Sequence, residues 1–467
     1  MRLPNLLASR RGRLTAFFFL YLTEGIPLGF VATAVATTLR RDGVGPAEIG
    51  AFVAAFYIPW SWKFIMGPIV DVFASEKLGR RRMWIVGAQT MMVATLLVTV
   101  GIDLPAQLKL FTILLLIHNC FAATQDVAID ALAVQVLKEN ERGLANGLMF
   151  GAAYLGQTIG GALVLKMMGA IGLQGGIVFV AACIASVTLL VALPLKEGAR
   201  DSSLQVEGSG ASRAFAEVWL FVKEAFRALL MNRLGFFGLI FALLPAGAMS
   251  LGGALQSNLA VEIGMTDSRI GDLAFWSTIL SAFGCIVGGL LSDKLGRRKM
   301  LALYIFAMSL PVFYLSMVLK EHGFIMPVDM NDPDRVNAPQ AIFQAFWISC
   351  LIYSLINGLM YGTRTALFMD VTNPLVAATQ FTAYMALLNL TISYSLAWQG
   401  FFIERHGYPN TLLVDGIFGL VCILVLPFMV KKKAAGMEGP SGGRLTTASP
   451  QNVPAEPTVG THLEDNK

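Results

Sequence analysis

Twelve apolar runs, each of 20 residues or more, decide most of what this chain can become. They fall near 15–38, 49–70, 83–102, 110–134, 143–167, 172–194, 234–261, 269–292, 300–320, 341–369, 378–402 and 409–430. About 20 mostly apolar residues is the length a helix needs to cross the hydrocarbon core. Only 14% of the chain is charged, against about 25% in a soluble domain. The expected class is an all-α membrane protein with twelve transmembrane helices, not a soluble enzyme with one anchor.

Two short stretches about 220 residues apart then repeat each other. The first reads Gly67-Pro68-Ile69-Val70-Asp71, followed by Gly79-Arg80-Arg81-Arg82. The second is Gly289-Leu290-Leu291-Ser292-Asp293-Lys294-Leu295-Gly296-Arg297-Arg298. Each lies between two apolar runs, so the chain reads as a duplicated membrane protein of two pseudo-symmetric six-helix bundles. The expected organisation is a first bundle over 1–194, a linker over 195–233, a second bundle over 234–432 and a disordered tail over 433–467. Two such halves about a vertical axis place a solute site at the midplane between them.

Lys and Arg bias fixes the expected orientation. With the N-terminus inside, cytoplasmic segments collect about 23 Lys and Arg and the opposite loops about eight. Both termini are therefore expected in the cytoplasm. The basic Arg10-Arg11-Gly12-Arg13 leads into the first run without a small-residue cleavage site, so that run reads as a spanning helix. In the linker, Phe215, Val218, Trp219, Val222, Phe226 and Leu229 recur at helical spacing among Glu217, Lys223, Glu224 and Arg227. That pattern fits a helix lying in the membrane interface, or an extended start of the seventh span.

Polar residues inside spans mark the candidate site, because a buried charge in lipid is costly. The fourth run is the richest: His118, Asn119, Thr124, Gln125, Asp126 and Asp130. Asn119, Asp126 and Asp130 share one helical face. Two carboxylates on one stripe either line a wet cavity and handle protons or pair with Lys63 or Arg364 as structural ions. Glu24 stands beside Gly25 and Pro27, which weaken the first helix, and is a third proton-coupling candidate. Lys63, Gln125, Asn119, Arg364, Tyr361 and Trp60 are candidate solute-binding residues, Arg364 for bidentate pairing with carboxylate or phosphate. Trp60 could equally be an interface anchor. Gly67, Asp71, Gly79, Arg80, Arg81, Gly289, Asp293, Gly296, Arg297 and Arg298 form the candidate gating motifs, in which an acid ties to basic residues and helix ends. His118 alone reads as a packing residue.

Several classes are disfavoured. Gly-x-x-x-x-Gly-Lys-Ser/Thr is absent, which argues against nucleotide-driven transport. The cysteines, Cys120, Cys183, Cys285, Cys350 and Cys422, all lie in apolar runs without Cys-x-x-Cys spacing, so no disulfide or metal site is expected. No cofactor is expected beyond a proton gradient.

The duplicated motif resembles that of the major facilitator superfamily. Four runs narrow the resemblance: Tyr57-Ile58-Pro59-Trp60-Ser61-Trp62-Lys63-Phe64 leading to Asp71, Leu78-Gly79-Arg80-Arg81-Arg82, Ala123-Thr124-Gln125-Asp126-Val127-Ala128-Ile129-Asp130-Ala131, and Ala378-Thr379-Gln380-Phe381. Together they look like the AmpG-type branch, which includes muropeptide permeases and acetyl-coenzyme A transporters. The longer interval from Asp71 to Gly79 is itself typical of that branch. The resemblance implies a proton-coupled importer working by alternating access in a bacterial inner membrane, with Lys63, Gln125, Asp126 and Asp130 on the transport path. The expected partners are a bulky anionic small-molecule solute, such as a muropeptide, and the lipid bilayer. No nucleic acid is expected, and the expected state is a monomer. An acyl-coenzyme A, a siderophore or a drug is the alternative cargo. A membrane enzyme using His118 and Asp126, or a receptor that binds without flux, is the alternative class.

Overall fold

A computed structural model describes residues 5–73, 78–197, 210–332, 338–371 and 377–429. The tail expected to be disordered and much of the polar linker lie outside the described residues, as do the side chains of Asp71 and a few other helical residues. The described chain is helical and shows no strand.

The first crossing is α1 (Arg10–Gly29), a wider turn (Phe30–Val35) and α2 (Ala36–Arg41). The second is α3 (Pro46–Trp62) and α4 (Met66–Val72), separated by a tight turn over Lys63–Ile65. Then come α5 (Arg80–Thr99), α6 (Leu108–Val136), α7 (Glu139–Gln157) and α8 (Val164–Val187). The linker forms α9 (Gly210–Leu230). The second half holds α10 (Arg233–Leu243), α11 (Ala254–Glu262), α12 (Asp267–Leu295), α13 (Arg297–Glu321), α14 (Gln340–Val371) and α15 (Ala377–Val421).

Eight described helices are long and apolar enough to cross a membrane. Two of them, of 46 and 49 residues, are far longer than one crossing requires. Each reverses at a glycine with positive φ, Gly172 or Gly407. A Cβ on Gly176 would meet Val164 Cγ1 at 3.0 Å, although twelve residues of straight helix span about 18 Å. Gln399 Nε2 likewise donates to Asp415 Oδ1 at 2.8 Å, where straight helix would separate them by about 24 Å. Both long helices are therefore hairpins. With the interrupted crossings over 46–72 and 233–262, the described residues accommodate the twelve expected spans.

The seventh crossing departs from the continuous helix expected over 234–261. Pro245 cannot donate a backbone hydrogen bond, and Gly247, Gly252 and Gly253 lower helix propensity. The chain leaves α10 at Leu244 and resumes helix at Ala254. Asp415 satisfies the opened backbone by accepting from Met249 N at 2.8 Å and Ser250 N at 2.9 Å. In lipid such amides must find an internal partner, so this carboxylate is structural.

Small residues bring the helices together. Gly25, Gly29, Gly156 and Gly160 let α1 and the fifth span touch backbone to backbone, and Gly284, Gly288 and Gly358 do the same for α12 and α14. Such close approach is what drives helix association in lipid. The two halves meet where α3 packs on α15 and where α12 packs on the fifth span. These are contacts of spans two with eleven and eight with five, which exchange under a shift of six spans, as pseudo-twofold symmetry requires. A methyl at Gly160 would overlap the Ile26 carbonyl. Gly160→Val is expected to cost about 1–3 kcal/mol through overpacking, read as an earlier loss of the monodisperse peak on heating in detergent.

Candidate functional site

The tight turn at Lys63 brings its ammonium into the first half of the bundle. Trp62 leaves helical dihedrals (φ −116°, ψ 1°) just before it, and Pro59 removes a helical donor one turn earlier. Lys63 Nζ then sits 2.7 Å from Asp126 Oδ2, with side chains 17% and 5% exposed. It also lies 5.4 Å from the Trp60 ring centroid. Of Lys63 and Arg364, the two bases offered to Asp126 by the sequence, Lys63 is the one it pairs with.

Two further carboxylates surround that pair. Asp130, one turn on, is exposed and accepts a hydrogen bond from the Tyr21 hydroxyl. Glu24 lies within electrostatic reach of Asp126, Asp130 and Lys63, and its buried Oε1 has no partner. Three carboxylates thus share one ammonium among the described residues. Asn119 and Gln125, on the same helix, bond to neighbouring helices. Asn119 donates to the Phe56 carbonyl, and Gln125 Nε2 donates to Thr23 Oγ1 at 3.0 Å. These bonds fasten α6 to α3 and α1, leaving Asn119 Oδ1 and Gln125 Oε1 buried and unpaired. His118 is buried against Thr95 and the Met92 carbonyl, as a packing residue would be.

The second half presents the opposite charge. Arg364 is 4% exposed, its Nε has no partner, and no carboxylate pairs with it among the described residues. Its guanidinium stacks 5.1 Å from the Tyr361 ring centroid. Tyr57 and Tyr154, from the first half, lie within electrostatic reach of Tyr361. Tyr154 also reaches across to Cys285 Sγ at 3.8 Å. Arg364 therefore stands at the junction of the halves in a half-buried tyrosine cage. An unpaired buried guanidinium is costly unless an anion joins it.

The two motif copies share one geometry. Gly79 and Gly296 both have positive φ, 86° and 97°, and each directly precedes a helix that begins with arginines. Only glycine adopts such a backbone freely. In the second copy, Arg297 bonds Asp293 at 2.8 Å and Asp370 at 2.6 Å, both in its own half. In the first, the amides of Arg81 and Arg82 bond the Glu197 carboxylate, and the Arg81 guanidinium bonds the Val70 carbonyl. Gly67, Arg80, Gly289 and Arg298 lie in the same two segments. The side chain of Asp71 is outside the described residues.

The ionic contacts described between the halves gather at the end remote from the termini. Arg40 and Glu262 pair at 2.7 Å with side chains 3% and 0% exposed. Glu262 also accepts from Tyr408 at 2.5 Å and from Val328 N at 2.8 Å, while Arg40 donates to the Val328 carbonyl at 2.6 Å. Arg41–Asp267 and Lys166–Asp272 add outer pairs at 2.7 and 2.5 Å. That end is shut. Glu262→Gln leaves Arg40 buried without its counter-charge, so opening becomes easier. Maleimide labelling of a cysteine placed at buried Ser257 is expected to quicken at least ~10-fold, equivalent to about 1.4 kcal/mol; an unchanged rate contradicts this role.

Sequence reading missed Tyr21, Thr23, Tyr154 and the Arg40–Glu262 pair. The tyrosines and Thr23 sit in apolar runs where their hydroxyls give no periodic signal. Arg40 and Glu262 read as ordinary membrane-edge charges, and only folding across 222 positions makes them a pair.

The profile described as Major Facilitator Superfamily matches residues 14–252 and 237–459. Among curated relatives, "Putative transporter AmpG 4" of Rickettsia conorii is 24% identical over 431 residues, covering 90% of this chain and 97% of that protein. "Anhydromuropeptide permease" of Escherichia coli K12 is 24% identical over 426 residues, covering 88% and 79%. Among solved structures, a D-xylose-proton symporter superposes with TM-score 0.63 at 11% identity, covering 88% of this chain and 96% of that one. A POT family transporter with a bound thioalcohol-conjugated peptide gives TM-score 0.65 at 11% identity, covering 90% and 96%. These structural likenesses carry the fold alone.

Proposed function

Because the chain belongs to the major facilitator superfamily, with AmpG-type relatives along most of its length, we propose that it is a proton-coupled secondary transporter of a bulky anionic solute, a muropeptide being the first candidate. The observation that carries this reading is the buried Arg364, which has no carboxylate partner among the described residues. A solute carboxylate or phosphate supplies its missing charge, and Tyr57, Tyr154 and Tyr361 offer faces for a sugar ring. Proton handling belongs to Asp126, Asp130 and Glu24, which outnumber the one ammonium beside them. Lys63 holds Asp126 in this state and becomes available to the solute only when that pair opens. Because the end remote from the termini is shut, the site exchanges with the side that carries the termini, taken as the cytoplasm of a bacterial cell.

Uptake into proteoliposomes with an acidic exterior tests this reading. Anhydromuropeptide is expected to accumulate, and a protonophore to collapse the accumulation. Acyl-coenzyme A, a siderophore and an uncharged sugar serve as competing cargoes. Accumulation of the uncharged sugar in place of every anionic solute removes Arg364 as the recognition residue. Binding of an anion without flux makes the protein a receptor.

A further inference from the structure

The linker helix α9 exposes a stripe that the transport cycle does not use. Phe215, Trp219, Val222, Phe226 and Leu230 follow helical spacing along one face, and Phe215, Trp219 and Phe226 are 74%, 64% and 65% exposed. Leu229, three residues beyond Phe226 at one edge of the same face, is buried against the bundle. A stripe of this length, about 23 Å from first to last residue, is larger than water-facing surfaces normally carry. Lys223 and Arg227, both exposed, flank it one turn apart. The helix packs on α4, α10 and α15, so it touches both halves. The stripe continues into exposed Met231 and Phe236 at the start of the seventh crossing, and is thus continuous with the lipid-facing surface.

We propose that α9 lies in the membrane–water boundary, with its aromatic stripe among the upper acyl chains and Lys223 and Arg227 gripping the phosphates of anionic lipids. An aromatic apolar face with basic flanks is the composition of a helix held at that depth. Each basic residue near an anionic leaflet enriches anionic lipid about fivefold. Because α9 bears on α4 of the first half and on α15 of the second, its lipids lie beside both halves.

The test uses the full-length protein in phosphatidylcholine vesicles, with or without phosphatidylglycerol. Trp219 reports through quenching by acyl-brominated lipid, and a Trp219→Phe variant subtracts the other tryptophans. The proposal expects strong quenching by bromines near the headgroup. It also expects brominated phosphatidylglycerol, diluted in phosphatidylcholine, to quench several-fold more than its share. The surface variant Lys223→Gln/Arg227→Gln should abolish that preference and keep the quenching by bulk lipid. Trp219 that is unquenched in both lipids overturns the proposal, whether water or a second copy of the chain covers it. Quenching without headgroup preference overturns the assignment of the basic pair.

Discussion

Arg364→Met is expected to abolish uptake of the anionic solute and at the same time to raise the thermal stability of the solute-free protein. The two effects have one cause. Arg364 is 4% exposed and its Nε lacks a partner. Taking an ion out of water costs several kcal/mol after relaxation, and the ring of Tyr361 offsets part of it. Methionine fills similar space without charge, so the empty transporter gains. Solute binding loses the partner proposed for its carboxylate or phosphate. Losing one side of a buried charged pair costs about 2–5 kcal/mol, which is at least ~30-fold in affinity. Arg364→Lys keeps the charge but loses the planar fork, so binding is expected to weaken without vanishing. Solute-induced shifts in melting temperature, measured with uptake on the same preparations, check the pairing of signs. A methionine variant that transports normally would remove Arg364 from the solute path.

The second large effect concerns Lys63 and Asp126. Lys63→Met leaves Asp126, Asp130 and Glu24 together without their ammonium, and breaking a buried pair from one side costs about 3–5 kcal/mol. Low yield and a lowered melting temperature are expected. Asp126→Asn is milder for folding, because Lys63 still faces Asp130 and Glu24. Combining Lys63→Met with Asp126→Asn removes both charges of the 2.7 Å pair and is expected to restore much of the stability lost in Lys63→Met. It should not restore gradient-driven uptake. A double-mutant cycle on melting temperature, run beside one on transport, separates the structural share of this pair from its share in coupling. Recovery of transport in the double variant would make the pair structural.

The crossings were legible because apolar length is a local property, and the symmetry was legible because both motif copies kept their glycine and arginines. Gly79 and Gly296 indeed take the same positive φ. The break in the seventh crossing had a signal in Pro245, Gly247, Gly252 and Gly253. Its stabiliser, Asp415, lies 166 positions from Met249 and could not be connected to it. Asp126 was recognised as special, but whether it paired with Lys63 or Arg364 depended on how spans two, four and ten pack. Asn119 and Gln125 share the face of Asp126, yet the packing of α1 and α3 turns them into interhelical fasteners. Arg40 and Glu262 stand at span ends, where charge is ordinary. Their meaning comes from the closure of one end of the bundle.

Proton movement accompanying the solute is the most direct measurement of the central claim. Proteoliposomes in weakly buffered medium, at equal pH inside and out and with membrane potential clamped, receive anhydromuropeptide outside. The account predicts a solute-dependent rise in external pH as protons enter with the cargo, absent in Asp126→Asn and in Arg364→Met. Entry of the solute with no pH change would contradict it.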